Sequence, residues 1–522
     1  LNSLYIGRRG FAAPTRRPLA GPPSIDATPV AKPFRSKRMV DTASPHGNEH
    51  PHQSGVEDLD TGRLGRVPLV SLSLASFIPA VGMALVPLLM FETAGTAAWP
   101  SALLGALAVI FVGLSVITFA RRFVSTGSLY SYVAEVFGPW ARYLTAAALF
   151  VGFVLQVGGI GGIVGIFTGS FLISRGFENA LDFGPQSAII LGAIVIAAIV
   201  AIRGLDTSVR VAVGLAALSI PLVLIITIAS AVHTGLDLSQ QFDFDGISVS
   251  GILQGVAAGT TFLVGFESCT ALAAETRDAR RNIPLAVMSV PVVLGLLYLL
   301  CTILQVPGLI AASSDLEAGM SAPAALALNA GLGSAVATAT DLVLAVACFA
   351  ALIGFVNYGA RFIMTLGIDN LLPERITSVN TKFRSPHVAI IVLSVLGFAD
   401  IAAVMAVTGT VTEAYYAGAP LIVYAWVAPY ILITVGAIIL MLRAKTKHPL
   451  ILVCSALGGI TMAWVYLNGV INPPAPPSDA MSWVIVVVIA LVLAVFVMSG
   501  RRRRPTTPPT PAPIRGEEEI AL

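Results

Sequence analysis

Charge is what this chain has least of. Asp, Glu, Lys and Arg make up 11% of its 522 residues, where a soluble chain uses about a quarter to cover its surface. With 56% apolar residues and a mean hydropathy of +0.86, that scarcity makes a cytosolic enzyme or a nucleic-acid binder a poor reading. Cysteine is equally sparse. Cys269, Cys301, Cys348 and Cys454 each sit alone in an apolar run, with no C-x-x-C or Cys/His pairing, so neither a disulfide framework nor a metal site is expected, and the four read as small buried hydrophobes. No G-x-x-x-x-G-K-[ST] occurs, which excludes ATP-driven work by this chain alone, and no H-E-x-x-H or nucleophile motif sits on an apolar run, so an enzyme and a bound cofactor are not expected.

What the chain has instead is long apolar runs of roughly 16 to 30 residues, each able or nearly able to cross about 30 Å of hydrocarbon as a helix. Twelve are expected, at 67–90, 99–120, 143–173, 187–202, 211–232, 249–274, 283–312, 336–366, 388–407, 415–442, 450–470 and 481–498. None alternates with the period of a β-barrel strand, so the fold class is an all-α membrane protein with twelve transmembrane helices. Residues 1–66 are rich in Pro, Ser, Gly and His and read as a disordered tail, and 499–522 form a second polar tail. The chain opens at Leu1 while Met39 heads a more ordinary start, so part of 1–38 is expected to be upstream sequence.

Basic residues are missing from one side. Of the 31 Lys and Arg, ten precede or include Arg66, fifteen fall after even-numbered runs, Arg361 among them, and five lie in the C-terminal tail, leaving Arg175 for the odd loops. This bias places both termini in the cytoplasm and requires an even number of crossings. It also implies that no Lys or Arg lies deep in a span, so an anionic group crossing here must be met by backbone amides, as at a broken helix.

Two runs look broken. The first carries Pro79, Gly82 and Pro87 in its middle, and the sixth carries Gly255, Gly259 and Gly265 with Glu267 just beyond. Interruptions at matching positions five runs apart point to an inverted-repeat transporter with its site at the midplane. The glycines at 158, 159, 161, 162 and 165 of the third run read as close helix packing.

Gly265-Phe-Glu267, followed by Glu275 and Arg280-Arg-Asn-Ile-Pro284, resembles the sixth span and cytoplasmic loop of the amino acid–polyamine–organocation permeases. Ser125-Thr-Gly127-Ser-Leu-Tyr130, Arg203-Gly204 and Asn357-Tyr-Gly-Ala-Arg361 through Leu371-Leu-Pro373 agree with that family in order. Departures are Pro79-Ala-Val-Gly82 in place of a G-S-G break, Leu263 where an aromatic is frequent, and Ala279 for a loop proline. The resemblance implies a five-plus-five, LeuT-like fold: repeat one at 67–232, repeat two at 249–442, helices eleven and twelve at 450–498. It implies a permease of the cell membrane, moving an amino acid or related amine by alternating access, by proton coupling or exchange, with membrane lipid around it. The runner-up of another class is a membrane sensor or non-transport subunit on the same fold.

In that geometry the amides of about Val81 to Ala84 suit a carboxylate, and carbonyls near Phe262 suit an ammonium. The expected substrate-contacting positions are Ile78, Ala80, Val81, Gly82 and Met83 in the first break and Phe262, Leu263 and Gly265 in the sixth, with Phe262 as a gate. No Ser or Thr lies between Thr340 and Thr365 in the eighth run, which disfavours a family-like sodium site. Glu267 is the expected coupling residue, while Asp341 and Asp400 are assigned hydrogen-bonded structural or vestibule roles.

Overall fold

The computed structural model describes residues 62–123, 127–235, 238–243, 248–317, 320–444, 448–473, 476 and 479–502. The expected tails up to residue 61 and from 503 onward, and Ser125 and Thr126 of the motif before the third run, lie outside the described residues.

The first apolar run folds as α1 (Arg66–Ser76) and α2 (Pro79–Ala94), separated at Phe77 and Ile78. Pro79 has no N–H to continue the ladder, and Ile78 takes φ 43°, ψ 68°, a left-handed conformation that a β-branched residue holds only when its surroundings enforce it. Next come α3 (Trp99–Ala120), a short α4 (Leu129–Phe137), α5 (Pro139–Ile173), α6 (Phe183–Ile202) and α7 (Leu205–Thr234). The sixth run is α8 (Val249–Thr260), a turn ending at Gly265 with φ 80°, and a 3₁₀ helix at Phe266–Glu275. Then follow α9 (Ala279–Ser289), a π-helical turn at Val290–Leu294, α10 (Gly295–Ala311), α11 (Ser313–Glu317) and α12 (Ala322–Asn329). The chain closes with α13 (Ser334–Ile368), α14 (His387–Thr408), α15 (Val411–Arg443), α16 (Pro449–Ile471) and α17 (Met481–Arg502).

Eleven helices among the described residues are long and apolar enough to cross a membrane, against twelve expected. The difference is the sixth run. Its longest helical piece, α8, has 12 residues, about 18 Å of rise, which is too short to cross alone. The break is therefore more complete there than in the first run, where α1 and α2 keep enough continuity to count as one element.

The α1–α2 pair and α5 are the most enclosed elements, each with 83% of its apolar window buried, whereas α17 has 17% buried and lies at the periphery. α5 packs against α13, α14 and α15, and its glycines face α6, α14 and α15. A Cβ on Gly158 would sit 2.8 Å from the Gly397 carbonyl of α14, and one on Gly159 2.8 Å from Ile422 Cδ1 of α15, so these helices meet at a distance that larger residues do not allow. The four cysteines are free and buried, as expected from their isolation.

The basic-residue count misplaced Arg361. It is buried within α13 at 1% exposure and makes a bidentate pair with Glu275, Nε to Oε2 at 2.5 Å and Nη2 to Oε1 at 2.8 Å, while Nη1 donates to Asn357 O and Oδ1. The expectation that no cationic side chain is buried in a span fails here because Glu275, at the end of the 3₁₀ helix, neutralises the guanidinium. The same strand of chain holds the segment before α1: Leu64 N–H donates to Glu275 O at 2.8 Å, Arg277 N–H donates to Leu64 O at 2.9 Å, and the Leu64 side chain is 4% exposed. Arg142 of α5 pairs with Asp369 beyond α13, and its Nε donates to Tyr130 Oη at 2.6 Å. These contacts fasten the ends of the helices that the charge count assigns to the cytoplasmic side.

Two outcomes follow. Arg361→Met leaves Glu275 buried without a counter-charge and should lower stability by about 3–5 kcal/mol, while Arg361→Met combined with Glu275→Leu should recover most of that loss. Thermal unfolding in detergent checks both, and a double variant no better than the single one would show that the pair is not an isolated unit. Deleting residues 1–60 should leave folded protein near normal, whereas deleting 1–65 removes the Leu64 contacts and should cost about 1.5–3 kcal/mol; equal stability of the two truncations would contradict the docking of Leu64.

Candidate functional site

The breaks at Ile78 and Phe262 border one cavity. Its walls come from α1 and the first break (Ser76, Phe77, Ile78), from the sixth break (Thr261, Phe262), from α5 (Gln156, Gly159, Ile160, Ile163), from α13 (Ala351, Phe355) and from α15 (Tyr415, Ile422). Its volume is about 20 Å³, space for one water, so the walls must separate to admit a larger ligand. No charged side chain lines it.

Each break leaves backbone groups without helical partners. α2 starts at Pro79, and Gly82 N–H already donates to Ile78 O at 3.0 Å, so the free first-turn amides are those of Ala80 and Val81 rather than the four after Ala80. At the other break, Leu263 and Val264 N–H both donate to Thr260 O, at 2.8 and 2.9 Å, and Gly265 N–H turns away to Tyr430 Oη at 2.8 Å. The carbonyls of Thr261 and Phe262 therefore accept no backbone hydrogen bond among the described residues. One border of the cavity adjoins donors and the other adjoins acceptors.

Of the expected contact positions, the structure brings Ile78 and Phe262 together at the cavity wall. Ala80, Val81, Gly82 and Met83 are buried just beyond the break, in α2. A Cβ on Gly82 would strike the Tyr298 hydroxyl, and Met83 O accepts from Gln305 Nε2 at 2.9 Å, so these two positions face α10. Leu263 is 3% exposed, and Gly265 lies against the rings of Trp426 and Phe355.

Glu267 is buried at the start of the 3₁₀ helix, outside the cavity wall. Trp426 Nε1 donates to its Oε1 and Tyr430 Oη donates to its Oε2, both at 2.8 Å, so α15 grips the same segment through its carboxylate and through Gly265 N–H. Asp341 is also occupied, accepting from Ser170 Oγ at 2.7 Å and from Ser321 Oγ at 2.5 Å, which fastens the start of α12 to α5 and α13. Asp400 has no hydrogen-bond or ion-pair partner among the described residues.

Sequence reasoning missed Gln156, Tyr415, Trp426 and Tyr430. Gln156 carried a signal, being the lone polar side chain between Thr145 and Thr168 apart from glycines. Tyr415, Trp426 and Tyr430 did not stand out, since aromatics in apolar runs commonly serve as packing or interfacial anchors.

The profile of the family described as "Amino acid permease" matches residues 64–509. The chain belongs to that family. This permease is 26% identical over 298 residues to the branched-chain amino acid permease BcaP of Lactococcus lactis subsp. cremoris (strain MG1363), over 54% of this chain and 63% of that protein. It is 23% identical over 309 residues to the branched-chain amino acid permease BcaP of Bacillus subtilis (strain 168), over 57% of this chain and 65% of that protein. The matched stretches thus span less than two thirds of either relative's own length.

The grip on Glu267 is open to a direct check. Glu267→Gln offers one acceptor to two donors and turns an amide N–H₂ toward the other, which should cost about 1–3 kcal/mol of stability. An unfolding midpoint in detergent equal to that of the parent protein would show that Trp426 and Tyr430 do not depend on the carboxylate.

Proposed function

We propose that this permease is a secondary transporter that carries an α-amino acid with an apolar side chain across the cell membrane by alternating access. The observation that carries the reading is the single cavity bordered by both helix breaks, with free amides adjoining one border, free carbonyls adjoining the other, and no charged side chain in its walls. An α-carboxylate and an α-ammonium are the pair of charges such a backbone arrangement complements without a counter-ion. Ile160, Ile163, Ile422, Ala351 and Phe355 then leave an apolar surface for the side chain, in keeping with the branched-chain substrates that the relatives' names give them. Phe262 covers the ligand from the sixth break.

In this reading the sixth run completes a twelfth crossing as two half-helices, the core is two inverted five-helix halves, and both termini are cytoplasmic. Movement is driven by protons or by exchange. A sensor or non-transport subunit of the same fold has no observation that favours it.

Purified protein in liposomes, offered labelled isoleucine, leucine and valine beside lysine, glutamate and putrescine, tests the proposal. The branched-chain substrates should be taken up and should compete with one another. Lysine, glutamate and putrescine should be at least about tenfold poorer, because their extra charge has no partner in the cavity. Preferred uptake of a charged amine would overturn the apolar assignment, and failure of every amino acid to enter or exchange would overturn transport.

A further inference from the structure

We propose that Asp400 is the proton-carrying carboxyl of the transport cycle, reached from the substrate cavity past Tyr415; this rests on the transport reading. Three observations support it together. First, the other deep carboxylates are occupied: Glu267 by Trp426 and Tyr430, Asp341 by Ser170 and Ser321, Glu275 by Arg361. Asp400 alone among them is without a partner in the described structure, and it lies near the middle of α14 (His387–Thr408), about 4 Å along the axis from the helix centre. Its Oδ2 sits over Gly158 of α5, where a Cβ would come within 2.7 Å.

Second, Asp400 lines a compartment of about 10 Å³ that shares three walls, Gly159, Tyr415 and Ile422, with the substrate cavity. Third, the polar atoms along that boundary are unsatisfied. Tyr415 Oη and Gln156 Oε1 are buried and have no hydrogen-bond partner, a condition that water normally relieves. Gln156 lines the cavity, Asp400 lines the compartment and Tyr415 lines both, so the three can order water between the cavity and the carboxyl.

The neighbours leave Asp400 free to titrate by itself. Tyr415 is the one titratable side chain lining its compartment. α6 carries none, Arg142 of α5 is paired with Asp369, Asp341 and Arg361 of α13 are occupied as above, and Glu413 of α15 is exposed at the outer end of its helix. Tyr358 and Cys348 of α13 line neither space, and Glu374 and Arg375 lie in the turn after α13. Asp400 is half-buried, and an unpaired carboxylate held away from bulk water is costly. When water reaches the compartment, hydronium transfers one proton to the carboxylate, giving the neutral acid and water. Closure of the cavity retains the neutral acid, and reopening to the other side reverses the transfer.

The experiment compares counterflow with accumulation driven by an acid-outside pH gradient, in liposomes holding the unmodified protein, Asp400→Asn, Asp400→Glu or Glu267→Gln. The unmodified protein should accumulate labelled isoleucine above equilibrium. Asp400→Asn should keep counterflow within about threefold yet only equilibrate under the gradient, and Asp400→Glu should restore part of the accumulation. Full accumulation by Asp400→Asn overturns the proposal, as does loss of accumulation confined to Glu267→Gln. Counterflow by the unmodified protein without any response to pH also overturns it and leaves an exchanger, while absence of both activities sinks the transport reading itself. Should Asp400→Asn not fold, dicyclohexylcarbodiimide labelling of the unmodified protein decides, since the reagent adds to protonated carboxyls in apolar surroundings: a label on the Asp400 peptide supports the proposal, and a label on the Glu267 peptide without one at Asp400 overturns it.

Discussion

A backbone that leaves its helix inside an apolar environment has no water to satisfy its N–H and C=O groups, and everything around the two breaks answers to that constraint. At the first, Tyr298 Oη of α10 donates to Phe77 O at 3.4 Å, and Ser76 Oγ bonds back to Leu72 O at 2.7 Å. At the second, Tyr430 of α15 accepts the Gly265 N–H, and Thr261 Oγ1 donates to Ala419 O of the same helix at 3.3 Å. The breaks persist because side chains from α10 and α15 take over some of the pairing. What they leave unpaired adjoins the cavity.

The same economy of charge governs the helix ends around Glu275. Glu275 closes the 3₁₀ helix that follows the sixth break, and its pairing with Arg361 joins that helix to α13, while Leu64 joins both to the chain entering α1. The two broken elements are therefore linked to each other at one end through three residues and border the cavity together at the other. A movement of either break would be felt at this junction, since a buried guanidinium cannot part from its carboxylate without water entering.

How much of this was legible in the sequence differed by residue, for physical reasons. Pro79 and Gly265 announced the breaks to within a residue or two, because a missing N–H and a positive φ act locally. The half-helix character of the sixth run followed from its glycines, but its 3₁₀ second half did not, since that segment is held by Trp426 and Tyr430 from more than 150 residues away, at separations of 159 and 163. Arg361 was misread because a loop count assumes that a basic residue near a helix end reaches water, whereas this one turns inward to a carboxylate that the sequence places 86 positions earlier. The cavity walls were the least legible: Ile160, Ala351 and Ile422 belong to apolar runs that look alike until the fold selects which face points inward.

The proposed site, backbone groups beside mostly apolar walls, has a consequence for selectivity. On the proposed function, amides and carbonyls meet the α-carboxylate and α-ammonium that all α-amino acids share, and discrimination would then rest on the space beside Ile163, Phe355 and Ile422 and on the penalty for bringing in an unpaired charge. One methylene more or less changes binding in an apolar pocket by about 1–3 kcal/mol, while a buried unmatched charge costs considerably more. Such a cavity separates apolar from charged substrates sharply and isoleucine from valine weakly. With the ligand's charges met by backbone dipoles, a titratable group need not touch the ligand to be linked to it. It needs only to share the water that the ligand displaces, and the compartment at Asp400 shares Gly159, Tyr415 and Ile422 with the cavity proposed to hold the ligand.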